Sequence, residues 1–71
     1  MYSYIRLKKR ITTLYGDLEA FAKAVKQKPT SIRDKLNNAA DFSREDIVSW
    51  GEALLIEPEL IGKYFFTDAI S

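Results

Sequence analysis

Apolar residues recur at helical spacing along almost the whole chain, and no segment alternates with period two over the length of a strand. Tyr4, Leu7, Ile11 and Leu14 fall at i, i+3, i+7 and i+10. They predict a first helix with one apolar stripe and with Arg6, Lys8, Lys9 and Arg10 on its opposite face. Gly16 ends this helix, and Asp17 is placed to cap a second in which Leu18, Phe21, Ala22 and Val25 share one face. Lys26, Gln27 and Lys28 form a polar turn. Pro29 suits the first position of a third, short helix, where a missing N–H has no partner to lose. Only Ile32 and Leu36 anchor that helix, so most of its circumference faces outward, and Asn37-Asn38 is a natural stop. Ser43 and Asp46 have the spacing of a capping box for a fourth helix carrying Ile47, Trp50 and Leu54, with Phe42 positioned to staple its start. Pro58 opens a fifth, with Leu60, Ile61, Tyr64 and Phe65. The expected fold is all-α: a compact bundle of four to five short helices over residues 1–66, followed by a loose tail over 67–71. The expected core is Leu7, Ile11, Phe21, Ala22, Val25, Ile32, Leu36, Ile47, Trp50 and Leu54.

Composition narrows the function. Seventy-one residues, 46% of them apolar and 30% charged, hold one thin core that gains from a partner. The chain has no cysteine and no histidine. It therefore lacks a disulfide framework, a thiolate zinc site, the usual general base and the commonest metal ligand. No nucleophile and base stand together in the sequence, so an enzyme is not expected, nor is a metal, a cofactor or a small-molecule substrate. The basic N-terminus lacks the apolar stretch of a secretory signal, and the longest apolar run, Ala53 to Ile56, is too short to cross a bilayer. A cytoplasmic protein without membrane contact is expected.

The net charge of +1 conceals a division. Residues 1–35 carry nine basic groups against three acidic ones, whereas residues 36–71 carry two against seven. A basic half is what a polyanion such as nucleic acid requires, and an acidic half limits non-specific adhesion on the other side. The second and third helices, joined by a tight turn and preceded by a basic helix, form a helix-turn-helix pattern. Phe21, Val25 and Ile32 stand where the pair must touch, and Ala22 where the backbones come closest.

The stretch from Leu18 to Asn37 resembles the helix-turn-helix of Cro and lambda-repressor type phage regulators. Lys35-Leu36-Asn37-Asn38, Phe42-Ser43, Asp46-Ile47 and Ile61 to Phe66 extend the likeness to the small Cro-like antirepressors, or modulators of repression, of temperate phages of Gram-positive bacteria. Three positions depart from the pattern. Lys26 stands where the family usually has the glycine of the turn, so the turn is expected to be longer or to use Gln27 or Lys28 differently. Pro29 replaces a frequent glutamine. Lys35 replaces an apolar residue and is expected to snorkel outward or contact a phosphate.

The resemblance implies a regulator of the lysis–lysogeny switch in the cytoplasm of the host bacterium. Its partners would be double-stranded operator DNA, the cognate phage repressor as a heterodimer, and a second copy in a homodimer. For DNA, Thr30, Arg33 and Asp34 would reach base edges, with Arg33 suited to guanine. Lys8, Lys9, Arg10, Lys28, Lys35 and Asn37 would meet phosphates. A pure antirepressor without DNA binding of its own is the alternative, because Pro29, Arg33, Asp34 and Asn37 on the same helix suit a protein surface. Asp34 in particular would pair with a basic repressor. Exposed Tyr2, Tyr15 and Phe66 or the acidic half would add contacts.

Overall fold

The computed structural model describes residues 2–66, and every element of regular secondary structure among them is helical. The order is α1 (Ile5–Tyr15), α2 (Leu18–Val25), α3 (Pro29–Leu36), α4 (Arg44–Ala53), a single 3-10 turn (Pro58–Leu60) and α5 (Ile61–Phe65). The tail expected over 67–71 lies outside the described residues.

The boundaries follow from the end chemistry. Gly16 closes α1 at φ 87°, a left-handed value that costs glycine nothing. Asp17 accepts the amide of Ala20 at 2.8 Å and so starts α2. Pro29 is the first residue of α3, and Asn38 turns the chain away after it at φ 62°. Both arms of the capping box on α4 are formed: Ser43 Oγ accepts the Asp46 amide at 3.1 Å, and Asp46 Oδ2 accepts the Ser43 amide at 3.0 Å. The turn between α2 and α3 is not lengthened. Lys26 itself takes the left-handed conformation, φ 58° and ψ 43°, and lets the Gln27 amide reach the Ala22 carbonyl at 2.9 Å. A lysine here costs about 1 kcal/mol relative to glycine.

The core joins all five helices. Phe21, Trp50 and Phe65 are buried with Leu7, Ile11, Ile32 and Leu54. Their rings meet edge to face, with Phe21 and Trp50 centroids 4.9 Å apart at 89° and Phe42 and Trp50 4.8 Å apart at 89°. Such pairs add about 0.5–1.5 kcal/mol each beyond burial. Phe42 does more than staple α4: it reaches Trp50 and also packs on Tyr4 and Phe65, tying α1 to α5. Nine of the ten expected core residues are buried. Ile47 is only partly buried, at the edge of the cluster, and Tyr4, Ile56 and Phe65 complete the core. Leu14 is 40% exposed, because a step of about 100° per residue returns Tyr15, not Leu14, towards the side of Tyr4. Tyr15 is correspondingly not a free aromatic: its ring packs on Phe21 and its hydroxyl donates to the Ala53 carbonyl at 2.7 Å.

Candidate nucleic-acid interface

Helix α3 is held at both ends and open along its middle. Ile32 and Leu36 seat it on the core, while Thr30, Arg33, Asp34 and Asn37 are exposed, Pro29 is half-buried, and Lys28 is exposed one residue before the helix. At its far end, Asn38 exchanges two hydrogen bonds with the backbone of Tyr2, donating from Nδ2 to the carbonyl at 2.9 Å and accepting the amide at Oδ1 at 3.2 Å. The N-terminal segment thus clasps the end of the outward-facing helix.

The other clasp involves a residue expected to do something else. Lys35 neither snorkels outward nor remains available to a phosphate: its Nζ lies 2.8 Å from Asp46 Oδ2 and 2.9 Å from Gln27 Oε1, with only 13% of its side chain exposed. Gln27 closes the triangle by donating from Nε2 to Asp46 Oδ1 at 2.7 Å. The Lys35 ammonium also lies 6.0 Å from the centre of the Trp50 ring. An apolar residue at this position would pack on the core directly. Lysine instead carries its charge inward because a carboxylate waits there, fixed by the capping box of α4. Burial alone would raise the pKa of Asp46, but the hydrogen bonds from Lys35, Ser43 and Gln27 outweigh it and lower the value from 3.8 to about 2. The turn, α3 and α4 are thereby bolted together through one carboxylate. Two signals in the sequence pointed at its halves, a lysine in a core position and a Ser-x-x-Asp box, but nothing local joined them across eleven positions.

The basic residues of α1 do not form one surface with α3. Lys8 and Thr12 line a groove of about 310 Å³ with Leu18, Arg33, Leu36 and Asn37, so Lys8 belongs with the exposed side of α3. Lys9 lines a different depression, with Arg6, Thr13 and Tyr64. Arg10 has turned away from phosphate duty as well. Its Nε donates to the Leu54 carbonyl at 2.8 Å and its Nη2 to the Leu55 carbonyl at 3.2 Å, where the end of α4 leaves carbonyls without helical partners. The expected phosphate set is thus reduced: Lys35 and Arg10 are occupied, Lys9 is set apart, and Lys8, Lys28 and Asn37 remain beside α3.

The arrangement can offer a mostly cationic edge with one planar donor fork, Arg33, and one carboxylate, Asp34. Asp34 is exposed and its side chain makes no ion pair among the described residues. No group of three or more His, Cys, Asp or Glu side chains among them is gathered to hold a metal ion. None of the described helices is long and apolar enough to cross a membrane. No curated protein matches the chain. A family model does: it spans residues 1–68, and the chain belongs to the family it describes, DUF739, proteins of unknown function.

Proposed function

We propose that this protein is a phage-type helix-turn-helix regulator, Cro-like in its action, which binds double-stranded DNA through α3 and opposes a repressor at the lysis–lysogeny switch of its host's cytoplasm. What carries the reading is the joint placement of Arg33, Asn37 and Lys8 around one groove, with Thr30 exposed on α3 and Lys28 exposed just before it. Phosphate contacts from Lys8, Lys28 and Asn37 position the domain, and Arg33 reads a guanine through its O6 and N7. Binding as a homodimer would set half-sites about one helical turn apart. Fluorescence anisotropy on promoter duplexes tests it. Arg33→Ala is expected to cost about 1–3 kcal/mol and to relax preference at one base pair. Absence of binding to every duplex at moderate salt would sink the DNA reading.

Asp34 favours a second reading, a pure antirepressor that forms a heterodimer with its repressor. An exposed carboxylate without an ion-pair partner among the described residues repels phosphates, yet it matches an arginine on the basic DNA-binding face of another protein. Pro29 offers a flat apolar contact beside it. On this reading Asp34→Lys weakens capture of the repressor and leaves DNA binding unchanged or tighter, and repressor and operator compete for one surface. Equal capture by that variant removes α3 from the repressor interface.

A further inference from the structure

A second surface, away from α3, has the makings of a docking groove. Between α4 and the 3-10 turn with α5 runs a depression of about 410 Å³ walled by Ile47, Val48, Ile56, Pro58 and Ile61. Its floor is Gly51, where a Cβ would stand 3.1 Å from Ile61 Cδ1, so the absence of a side chain lets α5 approach and keeps the trough open beside it. Val48 also lines a second depression, of about 660 Å³, on the side of α2, with Ala24, Arg44, Glu45, Ser49 and Ala53. Val48 is 55% exposed, an apolar side chain left in water beside the apolar lining of the trough.

The border of this surface is mostly acidic, with Arg44 as the one cation among the described residues that line the two depressions. Glu45 and Glu52 rise from α4 beside Val48, and Glu57 and Glu59 flank Pro58 in the chain; all four are exposed. That excess of carboxylates decides the occupant. Nucleic acid and anionic lipid are repelled by it, and a second copy seated by two-fold symmetry would bring carboxylates against carboxylates. Among the described residues no strand edge is offered for an added β-strand, whereas a trough between helices suits a helix laid along it. Ile47 to Glu52 spans about 7.5 Å of helix axis at about 1.5 Å per residue, room for about one and a half turns of a partner. We infer that the α4–α5 trough binds an amphipathic helix of a protein partner, its apolar stripe on Val48 and Ile61 and its flanking lysines or arginines on Glu45, Glu52 and Glu57. This goes beyond the reading of α3: none of the lining residues belongs to that helix, and the trough stays open while α3 is engaged.

The test uses the full chain and a synthetic helical peptide with leucines at i, i+3, i+4 and i+7 and lysines elsewhere, at physiological salt. Amide resonances of Ile47 to Ile61 are expected to shift on titration while those of α3 stay in place. Val48→Asp, exposed and so harmless to folding by circular dichroism, is expected to weaken the peptide about tenfold. Glu52→Lys with Glu57→Lys is expected to weaken it several-fold and to remove its salt dependence. The proposal is overturned if the matching Leu/Glu peptide binds as well, if the shifts centre on α3, or if Val48→Asp binds like the parent. Concentration-dependent dimerisation abolished by Val48→Asp would equally overturn it, in favour of a second copy.

Discussion

Asp46 carries more of the architecture than any other polar side chain described. Its carboxylate caps α4, pairs with Lys35 and accepts from Gln27, so its loss removes three contacts and leaves an ammonium buried without a counter-charge. Asp46→Ala is expected to cost about 3 kcal/mol by urea denaturation. Lys35→Leu and Asp46→Asn combined should cost less than the sum of the two alone, since the pair is then removed together. The low pKa gives a pH signature with a definite sign. Above the unfolded value of 3.8 the carboxylate stabilises the fold. That contribution, on the order of 2 kcal/mol, is lost as the pH falls from about 4 towards 2. The parent should therefore lose more stability across that range than Asp46→Asn, and equal slopes would show that Lys35 and Asp46 are not coupled in solution. Lys26 gives a prediction of the opposite direction: Lys26→Gly relieves a left-handed lysine and should stabilise by about 1 kcal/mol or less.

At the level of elements, α2 and α3 meet over Ala22, which is 1% exposed, with Phe21, Val25 and Ile32 around it. Ala22→Leu would force the two helices apart. It should cost about 1–3 kcal/mol and lower the thermal midpoint by roughly 4–8 °C per kcal/mol, whereas an unchanged midpoint would contradict the close packing of this pair. Helix starts and stops were readable in the sequence because they are local: Asp17, Pro29, Asn38 and the Ser43–Asp46 box act within four residues of where they stand. The fates of Lys35 and Arg10 were not. Both are long cations whose partners, Asp46 and the carbonyls at the end of α4, lie 11 and 44 or more positions away, and periodicity assigns a face but not what waits beyond it. Of the candidate interface on α3, the exposed residues were legible as the complement of two apolar anchors. The division of α1 between two grooves was not, because the placement of Tyr64 beside Lys9 depends on how α5 folds back.

Across the whole molecule, that division makes the electrostatics of the proposed DNA binding testable by position. A cation that touches phosphate releases condensed counterions, and one that merely sits nearby does so much less. Lys8→Ala is expected to lower the slope of log K against log salt by about one, and Lys9→Ala by clearly less, although the two are neighbours in sequence. Equal effects would mean that the duplex lies along α1 rather than α3. The single tryptophan ties these scales together. Trp50 is fully buried among Phe21, Phe42 and Phe65, its Nε1 has no hydrogen-bond partner among the described residues, and the ammonium of Lys35 stands off its ring. Indole emission is governed by the water and charge around the ring, so this chain contains its own optical gauge of whether α3 is seated. Release of Lys35, by acid or by substitution at Asp46, should register as a change in Trp50 fluorescence before the helices themselves melt. The bolt behind the outward-facing helix can therefore be followed without any label.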